Sequence, residues 1–90
     1  MRTVWKYDLA ALTIQSVAMP LNARIIHVAA QGGVPDAVQM WAEVETDEPQ
    51  FFRRFAVGGT GHLVPDDGRY VGTALAADGA LVWHVYEVRL

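Results

Sequence analysis

The chain contains no cysteine. That excludes disulfide staples and a thiolate nucleophile, and it fits a reducing compartment. Serine is nearly missing as well: Ser16 is the only one, and it sits in no G-x-S-x-G context. The three histidines, His27, His62 and His84, are spread out with no H-x-x-x-H pair. Neither they nor the acids make a metal-ligand spacing, so no metal and no cofactor is expected. Charge is scarce, at 19% of residues against about 25% in a typical domain. The net charge is −3, and Arg53–Arg54 is the only basic cluster. A binder of long nucleic acid would show a basic stripe, so that class is excluded. No apolar run approaches the ~20 residues of a membrane-spanning helix. The first nine residues carry Arg2, Lys6 and Asp8 with no apolar run behind them, which argues against a signal peptide. A soluble, cytoplasmic protein is expected.

Apolar residues are abundant, at 52% of the chain. Ninety residues make one domain, over 1–90. A chain this short buries only about 60–65% of the surface that its unfolded form exposes. Disulfides, a metal or a partner subunit usually help such a chain, and the first two are excluded. Excess apolar surface with few charges therefore predicts a homo-oligomer.

Period-two patterning runs nearly throughout. TVWKYDL places Trp5, Tyr7 and Leu9 on one face. LTIQSVAM is a second strand stopped by Pro20; its rival reading is one short helix, opposed by β-branched Thr13, Ile14 and Val17. ARIIHVAAQ places Ile26, Val28 and Ala30 on one face and Ile25, His27 and Ala29 on the other. AVQMWAEVE turns Val38, Met40, Ala42 and Val44 inward, with Gln39, Glu43 and Glu45 outward, and should pair with the preceding strand as a hairpin. FFRRFAV alternates Phe51, Arg53, Phe55 and Val57 against Phe52, Arg54 and Ala56. RYVGTALA and LVWHVYEV form the last hairpin across Asp78-Gly79, whose positive φ suits a type I′ turn. The final strand is apolar on both faces, so it belongs inside a sheet. The expected fold is all-β: a small antiparallel sandwich or barrel-like sheet of six or seven short strands.

Chemistry concentrates in VGGTGHLVPDDG, residues 57–68. Gly59 and Gly61 free the backbone to converge N–H groups on a phosphate, Thr60 adds a hydroxyl, and His62 adds a donor. The stretch lacks the spacing and the lysine of a Walker loop. Read as a plain connection, its glycines punctuate, and Pro65-Asp66-Asp67-Gly68 makes a β-turn with proline second. Arg53 or Arg54 supplies a guanidinium fork for phosphate; the bland reading places both on an edge strand. Trp83 offers a stacking ring and His84 a hydrogen-bonding ring, although a lone histidine in an apolar strand is usually a satisfied core group. No nucleophile with its base and oxyanion hole is present, so the reading is non-enzymatic.

WKY near the start, GTGH followed by a hydrophobic residue and proline, YVGT, and a closing LVWH-type strand together resemble a family of small uncharacterised bacteriophage and prophage proteins. The similarity runs over nearly the whole chain, and Gly59 to His62 with Val82, Trp83 and His84 carry its most specific part. The resemblance implies a phage accessory protein in the host cytoplasm. With the loop chemistry, it leads to an expected function: sequestering a small anionic nucleotide signal through Arg53, Arg54, Gly59, Thr60, Gly61, His62, Trp83 and His84, and so inhibiting host antiviral defence. The alternative is a protein-protein interaction module, either an inhibitor of a host protein or a structural or assembly component, with no small ligand.

Overall fold

The computed structural model describes residues 1–89. Seven strands follow one another: β1 (Arg2–Ala10), β2 (Thr13–Pro20), β3 (Arg24–Ala29), β4 (Ala37–Glu45), β5 (Gln50–Gly59), β6 (Arg69–Ala76) and β7 (Leu81–Val88). They form two antiparallel sheets, β1-β4-β3 and β2-β5-β7-β6. The segment with a rival helical reading is strand β2, as its β-branched residues suggest. No helix is long and apolar enough to cross a membrane among the described residues.

The inward faces supply one core. From β4 come Val38, Met40, Ala42 and Val44, from β5 Phe55 and Val57, and from β7 Trp83 and Val85. These are the alternating sets read from the sequence, because a half-buried strand must present every second side chain to the interior. At about 25 cal/mol per Å² of apolar surface, this shared core is the main favourable term. β7 lies between β5 and β6, inside its sheet as its apolar character suggests.

Four readings need correction. The register of β3 against β4 shifts between Ile25 and His27, a bulge that turns Ile26 outward and leaves Ile25 and Val28 facing in. Gln39 is buried: its carbonyl takes the Gln31 N–H at 2.6 Å, and its amide donates to Asp8 Oδ1 at 3.2 Å. The edge-strand reading of Arg53–Arg54 fails, because β5 lies between β2 and β7. The β6–β7 connection keeps positive φ at Asp78 and Gly79, with Ala80 N–H on the Ala77 carbonyl. Ala77 also has φ +50°, and pairing closes at Ala76–Leu81, so the loop has four residues rather than two.

The sheets meet most closely where β6 passes β3. A Cβ on Gly72 would lie 2.7 Å from Val28 Cγ2, so only glycine allows this approach. A second register shift, between Tyr70 and Gly72, falls at the same place.

Candidate functional site

The β5–β6 connection, residues 60–68, leaves β5 beside Trp83 and re-enters the sheet beside Glu87. It therefore travels back along β7 by about four residues, on the order of 13 Å. It does so over the outer face. His62 packs over Gly58, and Gly68 sits against Tyr86. Gly58 has no side chain where this strap crosses.

Hydrogen bonds pin the strap at both of its turns. His62 N–H donates to the Gly59 carbonyl at 3.0 Å, and Gly59 N–H donates to His62 Nδ1 at 2.8 Å. Gly61 takes φ +92°, a backbone state that glycine adopts at no steric cost. Of the backbone expected to cradle a phosphate, the Gly59 N–H is thus already bonded. Gly68 N–H reaches the Pro65 carbonyl at 3.0 Å, so Pro65 is the first residue of that turn, not the second.

His84 lies on the outer face of β7, not in the core. Its Nε2 is 2.9 Å from Thr60 Oγ1 and its Nδ1 is 3.2 Å from Thr73 Oγ1; Thr73 in turn is 2.7 Å from Tyr70 Oη. Thr60 and His84 are therefore brought together, as part of a hydroxyl–imidazole chain. Trp83 is on the opposite face, 6% exposed, with its indole N–H on the Pro35 carbonyl at 2.8 Å. It packs the core and cannot stack on a ligand.

Arg53 is also structural. It grips Glu87 with two hydrogen bonds, Nε to Oε2 at 2.7 Å and Nη2 to Oε1 at 2.8 Å, and Nη1 donates to the Ala23 carbonyl at 2.7 Å. The bidentate geometry is the strong form of this pair. Hydrogen bonding from Arg53 holds the Glu87 carboxyl below its ordinary value, against a desolvation that pushes the other way.

Arg54 points outward and has no acidic partner among the described residues. Around it, at the end of β5 and β7, opens a cleft of about 730 Å³ lined by Phe52, Arg53, Arg54, Arg69, Glu87 and Arg89, with Asp67 and Gly68 of the strap. Arg69 stands 3.7 Å from Glu87, a loose contact. Phe52 is 67% exposed at the rim. Arg54 and Gly58 lie four residues apart on β5, roughly 13 Å, so the single site expected from the sequence divides into an arginine cleft and a glycine–histidine corner. A separate groove of about 500 Å³ runs between the strap and β2, walled by Ile14, Ala56, Tyr86, Leu63, Val64 and Pro65.

The family model described as "Domain of unknown function (DUF7352)" matches residues 1–90. The chain belongs to this family. No curated protein and no solved structure matches it significantly. The DUF7352 assignment covers the strap, the cleft and both sheets alike.

Phe52, Arg69 and Arg89 were not singled out from the sequence. Arg69 pairs with Glu87, and Arg54 with Val88 beside Arg89, only through the β5-β7-β6 order. The one available signal was the strand register: a hairpin across 77–80 already sets Arg69 near Glu87. No group of three or more His, Asp or Glu side chains suited to a metal occurs among the described residues.

Proposed function

We propose that this DUF7352 chain is a non-enzymatic binder of a small phosphorylated ligand of the nucleotide type, held in the arginine cleft at the end of β5 and β7. One observation carries this reading. Four of the seven cationic side chains line that cleft with two acids, whereas the rest of the chain has three cations and eight acids. A positive cleft in an acidic molecule concentrates anions. The volume falls in the usual range for small-molecule pockets. Arg54 and Arg89 supply guanidinium forks for phosphate oxygens, and Phe52 supplies a ring face for a base. Such a site retains a ligand without converting it. In the phage setting that the motif resemblance implies, retention sequesters a host signal and blunts antiviral defence.

The test is a thermal-shift series with ADP and adenosine, alongside native mass spectrometry of protein purified from bacterial extract. ADP should raise the melting temperature and adenosine should not. Arg54→Ala with Arg69→Ala should abolish the shift while the circular dichroism stays unchanged. Equal behaviour of ADP and adenosine, or an ADP shift surviving the double variant, overturns the cleft as the binding site.

A second reading rests on a different surface. Leu63 on the strap is 98% exposed, and Leu63 and Val64 wall the apolar groove beside β2. That surface suits a protein partner with no small ligand. Leu63→Asp would abolish such binding and leave an ADP shift intact.

A further inference from the structure

Two sheets have four edges, and three of them are guarded. The pairing of β1 with β4 begins at Met1, whose carbonyl takes the Thr46 N–H. Antiparallel strands alternate bonded and non-bonded pairs, so Arg2, Lys6 and Asp8 lie among the residues whose amide groups face away from β4. That edge carries charges, and the Gln15 carboxamide occupies both Ala10 amide groups at its end. β3 has Arg24 and a bulge. β6 has Arg69 and a bulge, and it abuts Val28 at Gly72. Charges, bulges and covering are the usual protections of a sheet edge.

β2 has none of these along its length. Its sequence, TIQSVAMP, is uncharged, and its register against β5 is unbroken from Thr13 to Pro20. Leu21 N–H bonds to the Pro49 carbonyl, so the odd residues of β2 face β5. Ile14, Ser16 and Ala18 therefore turn their amide groups to the open side. Pro20, which has no N–H, falls on the same side and ends the stretch available for pairing.

We propose that the β2 edge pairs antiparallel with β2 of a second copy of this chain, about a two-fold axis at Ser16. Ser16 then faces Ser16, and Ile14 faces Ala18, in both directions. Residues 14–18 of each chain are joined by about six main-chain hydrogen bonds. The pairing is self-complementary: a small residue meets a large one, and no charge meets its own copy. Ile14, 51% exposed in the single chain, is covered beside Ala18 and near the exposed Phe52 ring that pairs with Ala18 from β5. The two four-stranded sheets become one continuous eight-stranded sheet. Because Arg54 is the register partner of Ser16, the two Arg54 side chains come to the same face, about 14 Å apart across three strand spacings.

Sedimentation velocity on the full chain tests this, with two variants and one control. The unmodified chain should sediment as a dimer. Ser16→Lys and Ser16→Pro should each weaken the dimer at least about tenfold, with unchanged circular dichroism, while Val4→Lys on the guarded β1 edge should not. Ser16→Cys should form a disulfide-linked dimer on mild oxidation in a chain that otherwise has no thiol, since about 5.5 Å between paired Cα atoms suits the bond. A chain that stays monomeric at every accessible concentration overturns the proposal and assigns the edge to a strand from another protein. A dimer indifferent to both Ser16→Lys and Ser16→Pro also overturns it.

Discussion

Arg53 commits its guanidinium to Glu87 and the Ala23 carbonyl, while Arg54, the next residue, has no acidic partner among the described residues. Strand alternation alone separates the two roles, since neighbours on β5 face opposite sides. Arg53→Met should lower stability by about 2 kcal/mol in urea unfolding, because Glu87 is left half-buried with only the loose Arg69 contact. The Glu87 carboxyl also sets a pH dependence. Its value is lowered in the folded chain by the Arg53 hydrogen bond, so the unfolded chain takes up that proton first on acidification. The stabilisation is full above the ordinary value of 4.5 and is lost as the pH falls through the lowered folded value. Glu87→Gln should flatten the stability profile in that acid window, measured by urea midpoints at a series of pH values. The Tyr7 hydroxyl is buried without a partner among the described residues. Tyr7→Phe should therefore be neutral or stabilise by up to about 1 kcal/mol, because the phenyl ring keeps the packing and removes an unpaired donor.

At the scale of elements, glycines decide where strands and loops pass close to one another. Gly72 lets β6 lie on Val28 of β3, and Gly59 lets the His62 ring close down on β5, where a Cβ would lie 2.9 Å from Nδ1. Gly72→Ala should lower the unfolding free energy by about 1–3 kcal/mol, since a Cβ there would overlap Val28. Val28→Ala in the same chain should recover part of the loss. An equal cost in both backgrounds would sever this contact from the effect. The alternation of β4 and β5 was legible in the sequence because both strands are regular over their full length. The bulges in β3 and β6 were not, because one extra residue shifts the phase without changing the kinds of residue present. The strap's glycines were legible as a loop, but their hydrogen bonds to and from His62 depend on a turn that composition does not specify.

At the scale of the whole molecule, charge is unevenly placed. An acidic chain collects most of its arginines at one end of one sheet. Binding of inorganic pyrophosphate should therefore weaken steadily as sodium chloride is raised, because screening shortens the reach of an exposed positive cleft. Isothermal titration at several salt concentrations measures this. A salt-independent affinity would contradict an electrostatic site. If two chains join along β2, the two clefts share a face, and the dimer would favour an anion with two charged groups about 14 Å apart over one with a single group.

The sequence by itself determined the class of the fold, the strands and most of the core, because period-two patterning records which side of each strand is buried. It also determined the scarcity of chemistry, since residue types that are missing cannot be supplied by folding. Only the tertiary structure decided which strands are edges, which arginine is occupied and which residues share a cleft. Those properties arise from pairings between segments far apart in the chain, and the local pattern of Arg53–Arg54 is the same whether Glu87 and Arg69 lie beside it or elsewhere.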